Sequence, residues 1–149
     1  MPHTFLLRPE AWSVHGRFFD ARYRLQSVRG KLQVRHEPQI WAIQGCLELV
    51  DSKERLELAC SVAPSNGGAA ASWSWVHPIL GKLDGACELA GRRMFSSFRS
   101  QDGRHAGQAT FTQKTDRAYL AEGELRRQGA IVCSWELALR LAPRSAFQL

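Results

Sequence analysis

The side chains that could carry chemistry are few and widely spaced. Four of the histidines, His15, His36, His77 and His105, stand apart and form no H-x-x-x-H pair. No serine lies in a G-x-S-x-G motif, and the Asn66-Gly67-Gly68 stretch lacks the lysine of a phosphate-binding loop. The sequence therefore predicts no catalytic residue, and it favours binding over catalysis as the function.

The cysteines are equally dispersed, because Cys46, Cys60, Cys87 and Cys133 are separated by 14, 27 and 46 residues. A metal site needs clustered ligands, so the spacing predicts none, and no cofactor can be named. Cys60, Cys87 and Cys133 take apolar positions in alternating segments, where a free thiol behaves as a small hydrophobe. The predicted state of all four is the reduced thiol of a cytoplasmic protein.

Neither a membrane span nor a secretion signal is expected. No stretch reaches the roughly 18 uncharged apolar residues that a spanning helix requires. Residues 1–9 also lack a basic segment followed by an apolar run.

Strict alternation of apolar and polar residues predicts strands along nearly the whole chain. The clearest case is residues 27–36, where Val28, Leu32 and Val34 share one face and Arg29 and Lys31 the other. Short turn signals such as Asp102-Gly103 separate such segments. With 149 residues, 44% of them hydrophobic, the chain is expected to be a single all-β domain. We expect an antiparallel up-and-down meander of about eight to ten strands, with little or no helix.

Glycines inside the predicted strands indicate how this meander is shaped. Six of them fall on the apolar face: Gly16, Gly30, Gly45, Gly85, Gly107 and Gly123. Glycine is disfavoured within strands unless a sheet must coil sharply or neighbouring rings need space. The pattern favours a closed or nearly closed barrel, which also removes exposed sheet edges. The alternative is a curved open sheet folded on itself as a sandwich.

One long connection interrupts the meander, and it is predicted as a loop over residues 63–80. Its first half is small and flexible, whereas the second half carries Trp73, Trp75 and His77. Long loops in compact domains are often functional. We interpret these three residues as a flap over one barrel end. The alternative is a short extra strand whose tryptophans plug that end.

The barrel interior is the predicted site of function. An apolar barrel of this size can hold one small ligand. The expected ligand is apolar or amphipathic, with an acidic group that a nearby arginine, Arg99, could reach. The remaining predicted contacts are the large inward aromatic residues Trp41, Phe98, Tyr119 and Trp135.

Two alternatives from other functional classes stay open. The net charge is +6, and the basic residues are concentrated near the amino terminus. The face that spans residues 17–35 could follow a nucleic-acid backbone. An exposed strand or the tryptophan segment could instead be a protein-interaction or homodimer surface.

As a strand pattern, the chain resembles the calycin group, which comprises the lipocalins and the fatty-acid-binding proteins. The resemblance implies an up-and-down barrel that holds a small apolar ligand. The G-x-W signature of lipocalins is not matched, because Trp12-Ser13-Val14-His15-Gly16 has the tryptophan before the glycine. The helical lid of fatty-acid-binding proteins has no counterpart. The chain looks most like small bacterial barrels of related shape, and no functional residue is transferred to it.

Overall fold

The chain folds into a closed ten-stranded antiparallel barrel in a computed structural model, which describes residues 2–143. Each strand pairs with its neighbours in sequence, and β1 closes the barrel against β10. The strands are β1 (Ala11–Asp20), β2 (Leu25–His36), β3 (Trp41–Leu49), β4 (Arg55–Ser65), β5 (Ala70–His77), β6 (Gly81–Ala90), β7 (Arg93–Ser100), β8 (His105–Thr115), β9 (Ala118–Arg127) and β10 (Ala130–Leu141).

The predicted fold class is confirmed: the protein is an all-β meander that closes on itself rather than a sandwich. Within residues 2–143, the one helical element is a three-residue 3-10 turn, Asn66–Gly68. That part of the chain contains no helix of the length and apolarity needed to cross a membrane.

The loop predicted over residues 63–80 is wrong, because strands occupy most of it. β4 continues to Ser65, and β5 begins at Ala70 and pairs with both β4 and β6. The chain reverses through Asn66, Gly67 and Gly68, all with positive φ. Trp73, Trp75 and His77 therefore belong to a strand of the wall and not to a flap.

The alternating hairpins define two ends of the barrel. The connections β1–β2, β3–β4, β5–β6, β7–β8 and β9–β10 lie at one end, which we call the mouth. The other end, the capped end, is covered by the amino-terminal segment of residues 2–10. Phe5 and Leu6 of this segment are buried in the same cluster as Trp12, Val14 and Leu139.

Hydrogen bonds hold the amino-terminal segment in place at the capped end. The Tyr119 hydroxyl accepts the Thr4 N–H at 3.0 Å and lies 2.7 Å from His3 Nδ1. His3 Nε2 is 2.8 Å from the carbonyl oxygen of Gly91, so this nitrogen carries the ring proton. Nδ1 is then the acceptor of the Tyr119 hydroxyl hydrogen. This chain of bonds joins the segment to β9 and to the β6–β7 turn.

The inward glycines make room for large neighbours across the sheet. An added Cβ would overlap the ring of Trp73 at Gly85, of Phe98 at Gly107 and of Trp135 at Gly123. In each case the glycine is the direct register partner of the aromatic residue. The rings therefore lie against the barrel wall instead of projecting into its centre. At Gly16, Gly30 and Gly45, the added atom would instead meet a neighbouring strand's backbone and a leucine.

Candidate functional site

The barrel interior divides into a packed layer at the capped end and a region of partly exposed inward side chains towards the mouth, which we call the lumen. Side chains of the packed layer are almost fully buried, as for Trp12 at 0% and Tyr119 at 2% exposure. Inward residues further along the barrel remain partly exposed although they face the interior. They are Leu32, Leu47, Leu58, Trp73, Trp75, Cys87, Ser96, Phe98, Cys133, Trp135 and Leu137. Val28, Leu83, Ser100 and Leu125 are buried exceptions nearer the mouth.

Three aromatic residues line this lumen. Trp73 on β5 and Phe98 on β7 have ring centroids 5.6 Å apart, and Trp135 lies on β10. The Trp73 indole N–H donates to Ser96 Oγ at 2.9 Å, which fixes the indole in the wall. These rings give the lumen a mostly apolar lining with one hydroxyl group beside it.

The β5 residues continue this lining to the mouth. Trp75 shares the inward face with Trp73, and its ring lies 4.9 Å from that of His77. His77 Nδ1 accepts the backbone N–H groups of Ile79 at 3.0 Å and Leu80 at 3.1 Å. Burial lowers the pKa of His77, and the nearby His105 lowers it further. An uncharged His77 therefore carries its proton on Nε2.

Two of the sequence-predicted contacts lie away from the lumen, at the capped end. The Trp41 ring stacks on His36 with centroids 4.0 Å apart. Tyr119 is buried beneath the amino-terminal segment, and its hydroxyl is fully engaged there. These two aromatic residues close the capped end, while Trp73, Trp75, His77, Phe98 and Trp135 lie along the lumen.

Arg99 lies on the other side of the wall. It follows the inward Phe98 on β7, and it is exposed on the outer surface beside Asp84 and Ala106. Side chains of adjacent residues in a strand point to opposite faces. Arg99 therefore does not join the interior cluster, and an acidic group inside the barrel would need another partner.

The thiols on the inward face are partly shielded from water. Burial raises the pKa of Cys60 to about 12, and nearby Cys87 adds to the shift. Burial likewise raises the pKa of Cys133 to about 11. Such thiols carry little thiolate at neutral pH and are poor nucleophiles. They contribute to the apolar lining rather than to reactive chemistry.

Sequence reasoning missed several polar groups of the interior. Gln26 lies on the inward face of β2 opposite Phe18, and its Oε1 is buried without a hydrogen-bond partner among the described residues. No sequence motif singles out Ser96, and His105 stands out only as one of the scattered histidines. The strand parity that places Phe98 and Gly107 inward also places Ser96 and His105 there.

The basic face of residues 17–35 lies outside the barrel and is partly neutralised. Arg17 forms an ion pair with Glu136 at 2.7 Å, and Arg29 forms one with Glu48 at 3.1 Å. Arg24 pairs with Asp20 in the β1–β2 turn at 2.7 Å. These contacts use part of the positive charge within the sheet itself.

A shallow groove of about 290 Å³ also lies on the outer surface, across β6, β7 and β8. Phe95, which is 44% exposed, and Glu88 lie on its rim. Its lining combines one aromatic ring with small and polar side chains. The groove is separated by the barrel wall from the aromatic rings of the lumen.

Comparison with known proteins supports the fold alone. No family model matches the chain, and no curated protein matches it. Among solved structures, it is similar to an S-type phycobiliprotein lyase from Guillardia theta, with a TM-score of 0.62 and 8% sequence identity. The match covers 91% of this chain and 88% of the lyase chain. The likeness shows the fold alone, and that fold is the up-and-down barrel expected from the strand pattern.

Proposed function

We propose that this protein binds a small apolar or amphipathic molecule in the lumen of its barrel. The observation that carries the proposal is the contrast between the two parts of the interior. Inward residues are buried at the capped end, whereas Trp73, Phe98, Trp135 and their neighbours remain partly exposed. A ten-stranded barrel is wider than the eight-stranded barrels whose side chains just fill the interior. The remaining space suits a ligand.

The lining indicates the class of ligand. Aromatic and aliphatic side chains form most of the walls, and within the described residues no lysine, arginine, aspartate or glutamate lies inward between the two rims. A charged group in the middle of the lumen would lose its hydration without a charged partner. The ligand body is therefore apolar, and any charge that it carries remains at the mouth.

Likeness in fold to a phycobiliprotein lyase agrees with a role in handling a small molecule, although at 8% identity it names no ligand. No arrangement of side chains in the lumen points to a specific reaction. Binding, rather than catalysis, is the function that these residues support best.

Titration with the neutral fluorophore Nile red tests the proposal. Ala109 lies on the inward face of β8 opposite Gly123, and Ala106 is exposed on the outer face of the same strand. In Ala109→Phe, the added ring would occupy the lumen, and we expect Nile red affinity to fall at least about tenfold. The matched control, Ala106→Phe, should bind as the wild type does.

Denaturation midpoints and near-UV circular dichroism would establish that both variants fold. Absence of a Nile red signal from the wild type, or equal binding by the two folded variants, would refute binding in the lumen.

A further inference from the structure

Basic groups from three strands occupy the mouth of the lumen. His105 is the first residue of β8 and is partly buried on the inward face. Its direct register partner is Arg127, the last residue of β9, which is exposed at the rim. His77 ends β5 on the same inward face, close enough to His105 for their charges to interact.

Arg127 differs from the arginine beside it in having its charge available. Arg126 points outward, where its guanidinium pairs with Glu124 at 2.8 Å and donates to the Gly129 carbonyl oxygen at 2.9 Å. Within residues 2–143, no acidic side chain forms an ion pair with Arg127. A charged guanidinium without an acidic partner, placed beside an apolar lumen, is suited to an anionic group.

The acidic group in the turn that precedes His105 is already engaged. Asp102 lies in the β7–β8 turn, where its Oδ1 accepts the Arg104 backbone N–H at 3.0 Å and the Ser100 hydroxyl at 2.7 Å. These two hydrogen bonds lower the pKa of Asp102, in that order of importance. The carboxylate is therefore fixed by its own turn and does not pair with Arg127.

Other elements that pack against the two histidines add no acid on the inward face. β4 contributes the inward residues Leu56 and Leu58 beside β5, and β6 contributes Leu83. Lys82 and Asp84 pair with each other at 3.7 Å on the outer face of β6. Below its lowered pKa, protonation of His77 therefore adds positive charge to a mouth that already holds Arg127.

We infer that Arg127, His105 and His77 form a headgroup site for a carboxylate or sulfonate, and that the apolar body of the same ligand extends into the lumen. This inference rests on the proposed function and names the polar end of its ligand. A bound anion favours the protonated, charged form of a neighbouring imidazole. A charged imidazole in turn strengthens the binding of the anion. Affinity for an anionic ligand should therefore rise as the pH falls.

Two probes of different charge separate the headgroup site from the lumen. Anilinonaphthalene sulfonate keeps its negative charge at all relevant pH values, so any pH dependence of its binding belongs to the protein. Nile red is neutral and reports on the lumen alone. Both would be titrated against the full chain between pH 5 and 8, over the range in which near-UV circular dichroism is unchanged.

Wild-type affinity for the sulfonate should rise about fivefold between pH 8 and pH 5, because His77, whose pKa is lowered by burial, gains its proton only towards the acidic end of this range. The His77→Gln, His105→Gln double variant should lose most of this dependence. Arg127→Gln should weaken sulfonate binding about fivefold at both pH values. Arg99→Gln is the matched control on the outer face and should change neither titration. Nile red affinity should stay within twofold throughout.

The possible results distinguish the headgroup site from the proposed binding in the lumen. Nile red binding with a pH-independent sulfonate affinity, or with no effect of Arg127→Gln, would overturn the headgroup site and leave the proposed function standing. Parallel loss of both probes in the Arg127 variant would assign that residue a structural role and would also overturn the site. If the wild type bound neither probe, the proposed function would fail together with the inference.

Discussion

Tyr119 is the residue on which the closure of the capped end depends most directly. Its hydroxyl is shared by the Thr4 N–H and by His3 Nδ1, and the side chain is 2% exposed. Removing the hydroxyl leaves a buried donor and a buried acceptor without partners. We expect Tyr119→Phe to lower the free energy of unfolding by about 2 kcal/mol, measured by urea denaturation.

Tyr23 provides the matched control, because this tyrosine is 75% exposed in the β1–β2 turn. Tyr23→Phe should leave the denaturation midpoint almost unchanged. Equal stability of the two variants would contradict the view that the hydroxyl of Tyr119 anchors the amino-terminal segment.

The inward thiols give a residue-scale prediction about pH. Burial raises the pKa of Cys60 to about 12 and that of Cys133 to about 11, above the ordinary value of about 9. At pH 8, iodoacetamide should therefore modify both thiols far more slowly in the folded protein than in the unfolded chain. Peptide mass spectrometry after timed alkylation would measure the two rates.

The same shifts determine how stability changes at high pH. Above pH 9 the unfolded chain releases these thiol protons while the folded protein retains them, so stability falls as the pH rises towards 11 and 12. Cys60→Ala should reduce this alkaline slope. Rapid alkylation of Cys60 in the folded protein would show that the lumen does not shield it.

At the residue scale, the alternation of apolar and polar residues predicted more of the candidate site than reactive residue types and motifs did. The period of two placed Phe98 and Trp135 on the inward face, where the structure has them, whereas Trp73 was expected in a flap. The same period turns Arg99 outward, away from the acidic group that it was expected to reach. His105 and Arg127 could not be recognised as neighbours because the β8–β9 register brings together residues 22 positions apart.

Among the elements, β5 shows why a strand can be missed in a sequence. Pro64 and a run of small residues precede it, and such composition is typical of loops. The structure places Pro64 near the end of β4 and turns the chain within Asn66–Gly68. Since β5 pairs on both sides, its tryptophans line the wall, as the alternative interpretation of an extra strand had allowed.

The amino-terminal segment has no periodic signal and was not predicted to pack at all. Phe5 stacks on Phe111 with centroids 5.3 Å apart and meets Trp12 edge-on at 5.6 Å. This aromatic cluster seals the capped end. Phe5→Ala removes the buried ring and should lower the free energy of unfolding by about 3 kcal/mol, measured by chemical denaturation.

A control at Phe95 separates burial from the loss of a ring as such. Phe95 is 44% exposed on the outer face, so Phe95→Ala should cost less than about 1 kcal/mol. If both substitutions had the same small effect, the amino-terminal segment would not be part of the core.

For the whole molecule, the inward glycines bear both on the closure of the barrel and on the placement of its large side chains. Ten strands make a wide ring, and large side chains would fill it if they projected towards the axis. At Gly85, Gly107 and Gly123 they lie instead across the adjacent strand. The same glycines that suggested a curved sheet in the sequence therefore also keep these rings against the barrel wall. The sequence could not reveal this, because ring direction depends on packing across strands.

An occupied lumen should stabilise the whole barrel, because a ligand that binds only the folded state shifts the unfolding equilibrium. Nile red at 100 times its dissociation constant should raise the free energy of unfolding by about 2.7 kcal/mol. Ala109→Phe, at the same Nile red concentration, should gain at least about 1 kcal/mol less, because its affinity is at least tenfold lower. Thermal unfolding with and without the fluorophore measures both effects. Equal stabilisation of the two proteins would place the bound fluorophore outside the barrel.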